Sequence, residues 1–140
     1  MAIPNLAATA TSYGVTKVRE LTTSWLTVTG NAGGSMTSYD PIPAEYSAKI
    51  HTLIITNIDG TNAADVTVGI DKATRTSAAT GSSVSGALFK IASTVSVPAD
   101  AVLVLADTPI YLEEGDVLEG GASAASDLTL FVSYEVIDDA

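Results

Sequence analysis

HTLIITNIDGTNAADVTVGID, residues 51–71, is two extended segments around a polar turn. In the second segment Ala64, Val66, Val68 and Ile70 alternate with Asp65, Thr67, Gly69 and Asp71, which puts the apolar side chains on one face of a strand. The first segment, Lys49 to Asn57, is apolar on both faces, with Ile50 and Ile54 on one and Leu53 and Ile55 on the other. That pattern predicts a strand covered on both sides, at the centre of the domain. Asp59-Gly60-Thr61-Asn62 between them offers residues that tolerate φ > 0 and short side chains that bond back to the backbone, so the pair reads as a hairpin.

The same signals recur along the chain. Val15–Leu21 and Trp25–Thr29 are rich in β-branched residues and read as strands. Phe89, Ile91, Val95 and Val97 alternate in a strand that Pro98 ends. Ala101–Ala106 is an apolar run too short for a helix, hence a buried strand. Ile110–Leu112 and Val117–Leu118 are shorter strands, the latter followed by a turn over Gly120–Asp127. Leu128, Leu130, Val132, Tyr134 and Val136 alternate without a break in the last strand, which places Val132 in the core. Short strands with a turn between each pair predict an all-β, single-domain antiparallel β-sandwich, jelly-roll-like and without helix. Its expected appendages are an N-terminal arm over residues 1–14 and two long loops, Gly30–Ser47 and Lys72–Ser85, with the sandwich itself over 15–140.

Composition bounds the chemistry. There are 140 residues, 46% of them hydrophobic, enough for one domain with a substantial core. Six Lys and Arg face sixteen Asp and Glu, a formal net charge of −10 that offers no basic track for phosphates, so no nucleic acid is expected as partner. No stretch approaches the ~20 apolar residues of a membrane-spanning helix, and Met1–Ser12 lacks the basic start of a signal peptide, so synthesis in a cytoplasm and no membrane partner are expected. The chain has no cysteine, which removes disulfides, thiolate metal sites and thiol nucleophiles.

No catalytic, cofactor-binding or metal residue is assigned. His51, the one histidine, sits mid-strand with no nucleophile marked out beside it and reads as a structural strand residue. Glu113, Glu114 and Asp116 fit a solvated turn better than an acid pair, since adjacent strand carboxylates point to opposite faces. Asp59, Asn62 and Asp65 superficially match an oxygen-ligand loop, but the twelve-position calcium pattern and its closing glutamate are missing. The glycines at 81 and 86 are not followed by the Lys-Ser or Lys-Thr of a phosphate loop. The residues suited to contacts between proteins are Ile3, Leu6 and Tyr13 in the arm and Tyr39, Ile42 and Tyr46 in the first long loop.

Four phrases, ITNIDGTNAADVTV (55–68), TVSVPADAVLVL (94–105), TPIYLEEGDVLEG (108–120) and ASAASDLTLFVSYEVI (122–137), resemble small virion structural proteins of tailed bacteriophages, above all marine and cyanobacterial ones. The resemblance covers about two-thirds of the chain and leaves out both long loops. It implies a non-enzymatic all-β virion component whose partners are the major capsid protein or other virion proteins. A capsid cement, or decoration, protein on the outer head surface is the expected role, as a homo-oligomer, with a trimer favoured because icosahedral lattices offer three-fold sites. A neck, tail or fibre-base subunit, and a carbohydrate- or cell-surface-binding module, are the alternatives.

Overall fold

The computed structural model describes residues 12–24, 26–27, 42, 45–72, 75–76, 83–84 and 88–138. They form β1 (Ser12–Glu20), β2 (Leu26–Thr27), β3 (Tyr46–Asn57), β4 (Ala64–Asp71), β5 (Arg75–Thr76), β6 (Ser83–Val84), β7 (Leu88–Val97), β8 (Val102–Ala106), β9 (Ile110–Leu112), β10 (Val117–Ala122) and β11 (Leu128–Asp138). Among the described residues there is no helix. One five-stranded sheet runs β1-β11-β3-β8, with β9 also on β3; a four-stranded sheet runs β2-β10-β4-β7; β5 and β6 pair alone. Every pairing is antiparallel.

β8 and β9 flank the same side of β3, on residues 53–56 and 48–50, and so act as two halves of one strand. With that pair counted once and the β5–β6 excursion set aside, the strands in chain order arrange as first-eighth-third-sixth in one sheet and second-seventh-fourth-fifth in the other. This is the jelly-roll order of two interleaved Greek keys, so the expected antiparallel β-sandwich is the fold observed.

The central pair is not the expected hairpin. β3 lies in the five-stranded sheet and β4 in the four-stranded one, and they share no ladder. Two-residue hairpin turns need φ > 0 at one or both central positions, and neither Gly60 nor Asn62 has it. The connection instead arches across the core, so that Ile50, Leu53 and Ile55 face Val66, Val68 and Ile70 from opposite walls, all buried in one cluster. Asn57 pins the arch: its Nδ2 donates to the carbonyls of Asn62 (3.0 Å) and Val97 (2.9 Å), and its Oδ1 accepts from the Asp59 N–H (2.9 Å).

Nor is β3 covered on both faces. Thr52 pairs with Ser133 and Ile50 with Tyr134, so His51 is the extra residue of a β-bulge. The bulge reverses the alternation: Ala48 and Ile50 point inward on one side of it, Leu53, Ile55 and Asn57 on the other, while Ile54 faces out. Other expectations shift for related reasons. β7 carries two register breaks and a left-handed Thr94 (φ 49), so Val97 and Ala92 are buried but Phe89 and Val95 are exposed. β8 is an edge strand whose Val102 and Val104 face away from the core rather than a buried run. β10 continues through Gly120 to Ala122 where a turn was expected; Gly120 faces Leu21 and Leu130, which leave 3.2 and 3.4 Å for an added Cβ. β1 begins at Ser12, three residues inside the expected arm, because its alternation pairs residue by residue with β11 as far as Ile137. The arm's remaining residues, 1–11, lie outside the described residues, as do most of the two long loops.

The last strand follows the sequence pattern. Leu128, Leu130, Val132, Tyr134 and Val136 are buried in the space between the sheets, with Tyr134 the largest fully buried side chain among the described residues.

Candidate interaction surfaces

Of the six residues expected to make contacts, Ile3, Leu6 and Tyr39 lie outside the described residues. Tyr13 is on β1 opposite Val136 and remains exposed. Tyr46 is half-buried against the core, at the start of β3. Ile42 is a correction: it is part of the core, 3% exposed, and not an anchor for a partner. Its backbone explains why, since the Ile42 N–H donates to the Asp116 carbonyl (3.1 Å) and its carbonyl accepts from Gly115 (2.7 Å).

The Glu113–Asp116 turn is solvated at Glu113 and Glu114, as expected, but not at Asp116. Asp116 is fully buried, and its Oδ2 accepts from Lys72 Nζ (2.5 Å) and from the Glu113 N–H (3.0 Å). Lys72 also reaches Glu113 (3.3 Å), and Glu114 accepts from the Glu45 N–H (3.1 Å). A buried carboxylate with a cation and a backbone donor is a structural clasp joining segments around residues 42, 72 and 115. Gly115 makes the turn possible with φ 81.

At the arch, Asp59 accepts from the Thr61 N–H (2.8 Å) and Asn62 Nδ2 (3.0 Å). These bonds, the Asn62 amide foremost, hold its carboxyl below the ordinary range, and they spend its oxygens on the turn. Among the described residues no group of three or more His, Asp or Glu side chains is arranged to hold a metal ion. His51 stands exposed on the sheet face with Nε2 3.6 Å from Glu135, an ion pair when the imidazole is protonated.

The outer face of the four-stranded sheet bears a shallow groove of about 240 Å³ lined by Thr23, Asp65, Thr67, Lys90, Thr94 and Ser123. Its walls are tied together: Asp65 N–H donates to Ser123 Oγ (2.8 Å) and Thr94 N–H to Thr67 Oγ1 (3.0 Å). On the same face Glu119 is pushed above the ordinary carboxylate range, first by partial burial and then by the negative charge of Asp71.

The outer face of the five-stranded sheet differs in kind. Strand register aligns Val18, Phe131, Ile54 and Val104 in one row across β1, β11, β3 and β8. Val18 is 42% exposed and Val104 56%; in the next row Val102 is 58% exposed beside Thr56 and Thr129. Tyr111, at 60%, lies two rows the other way, with the Lys49 ammonium 5.7 Å from its ring centre. The β3 bulge, which brings Ile54 outward in line with Phe131, and the edge position of β8 create this row.

No protein-family model matches the chain, and no curated protein matches it in sequence. Solved structures similar to it include a protein of Bacillus endospore appendages, which form disulfide-linked pili, at 12% identity and TM-score 0.46, covering 99% of this chain and 96% of that one. Infectious bursal disease virus Gx strain follows at 13% identity and TM-score 0.40, covering 93% of this chain and 32% of that one. The VP2 subviral particle of the same virus is similar at 15% identity and TM-score 0.34, covering 97% and 33%. The chain therefore spans about a third of the two viral chains, and its neighbours are proteins of a pilus and of virus particles.

Proposed function

We propose that this protein is a non-enzymatic structural component of a virion and, within that class, a cement protein on the outer surface of a tailed-bacteriophage head. The observation that carries the reading is the open sheet face, crossed by an exposed apolar row and close to neutral, on a chain of net charge −10. A face of that kind is a contact surface, not a reaction centre. The resemblance of the four phrases to small virion proteins of tailed phages supplies the setting, and the acidic remainder of the surface keeps free copies off nucleic acid. The partners are then the major capsid protein and further copies of the chain. A trimer at the three-fold sites of an icosahedral lattice was the arrangement expected from the sequence; Ile42, one of its expected anchors, is spent in the core.

The test is antibody-gold labelling of purified virions from a host producing the protein. Labels distributed over the head support the cement reading. Labels confined to neck, tail or fibre base refute it in favour of another virion part, and their absence from particles refutes the virion assignment.

A further inference from the structure

We propose that the outer face of the five-stranded sheet is where two copies of this chain pack face to face. The inference uses the same face that carries the virion reading and deepens that reading by naming a second copy as what the face meets; gold labelling tests the virion and sedimentation tests the pairing, so either can fail alone.

The first support is size. Four strands at ~4.8 Å and eleven residues at ~3.4 Å give a face of about 19 by 37 Å, or about 700 Å², close to the ~800 Å² per partner of a stable pairwise interface. The second is charge. On this face Glu135 lies opposite Lys49 and beside His51, and Glu20 sits at the rim, bonded to the Ser126 hydroxyl (2.6 Å). Asp65, Asp71 and Glu119 occupy the opposite sheet, and Asp59, Asp100, Asp107, Glu113, Glu114 and Asp127 the turns. Among the described residues this broad face is almost neutral, so two chains at −10 each meet there with little repulsion.

The third support is that three of the sheet edges are closed to strand addition. β1 turns Lys17 and Arg19 to the inner side, opposite Val132 and Leu130; β7 is broken by bulges; Asp107-Thr108-Pro109 interrupts the β8–β9 edge. Inward charges, bulges and short strands are the devices that block edge pairing, and they leave the face as the route of association. A two-fold axis lying between the copies and parallel to the strands sets Val18 over Val104 of the partner subunit and Phe131 over the partner's Ile54, so the apolar row is self-complementary.

Sedimentation of the purified chain from about 1 to 100 µM tests this. The wild type should be a dimer that tightens in 0.5 M NaCl, since salt screens the like net charges while leaving apolar contact intact. Val104→Asp and Val104→Lys should both sediment as monomers with unchanged circular dichroism. Val104→Thr, isosteric and suited to a strand, should weaken the dimer about tenfold and keeps the test open if a charged variant misfolds. Phe89→Asp, on the exposed edge of the other sheet, should remain dimeric. A monomeric wild type at 100 µM, a trimer, dimeric Val104 variants, or loosening by salt would each overturn the proposal.

Discussion

Asn57 decides whether the β3–β4 connection holds as an arch, and its removal has a calculable cost. The side chain is 2% exposed and makes three hydrogen bonds, to Asn62, Val97 and Asp59. At about 1 kcal/mol net for each, Asn57→Ala should cost about 3 kcal/mol, with the stranded Val97 carbonyl pushing the figure up. An unfolding entropy of ~2.1 cal/mol/K per residue converts this to a fall in melting temperature of about 10 °C for a chain of this length. Asn57→Asp keeps the shape but aims a carboxylate at two carbonyl oxygens, so its folded-state pKa must rise. The sign follows: the loss is smallest below the unfolded carboxylate pKa of ~3.9, where the protonated acid restores one donor, and it grows as pH rises through the elevated folded value. Differential scanning calorimetry at pH 4 and pH 7 measures both effects. An Asn57→Ala variant melting within about 2 °C of wild type, or an Asn57→Asp variant relatively more stable at pH 7, would refute the argument.

Gly69→Ala should destabilise by about 1–3 kcal/mol, since the new Cβ would lie 2.9 Å from the Phe89 carbonyl oxygen; Gly14→Ala, with nothing within 4 Å, should be neutral or slightly stabilising, and urea titration of both separates the cases. Val132→Asp puts an unpaired carboxylate where the wild-type side chain has no solvent exposure, a cost of several kcal/mol, and should abolish the cooperative transition seen by near-ultraviolet circular dichroism. Because the Glu119 pKa is raised in the folded state, the wild type gains stability as pH falls through that value; Glu119→Gln should therefore be the more stable form at pH 7, with the difference vanishing below pH ~4.3 in paired denaturation curves.

The class of fold was legible because period-2 alternation is a local property. β11 shows it without interruption, and its buried set is the one that the sequence names. Sheet membership was not legible, because an arch and a hairpin present the same apolar faces; what separates them is φ at Gly60 and Asn62, which neither residue type dictates. The bulge at His51 was present in the sequence as apolar residues on both faces of one segment, but that pattern equally describes a strand covered on both sides. The burial of Asp116 was not legible because its counter-ion, Lys72, is far away in the chain. The apolar row on the open sheet face combines residues from four strands, and only register aligns them.

The place of β11 between β1 and β3 has a consequence for synthesis. The strand that fills the middle of the five-stranded sheet is the last of the described strands to be made, and β10, central to the other sheet, is the one before it. Until residues 128–138 leave the ribosome, β1 and β3 face an empty slot with unpaired backbone on both sides and the core lacks Leu128, Leu130, Val132 and Tyr134. The β4–β7 and β3–β8 ladders need no later strand, but the five-stranded sheet cannot close until β11 enters between β1 and β3 and pairs Ser12 with Ile137. Such distant pairings belong to the millisecond-to-second end of folding rates, and until they form the chain is most open to capture by a chaperone or by another unfolded copy.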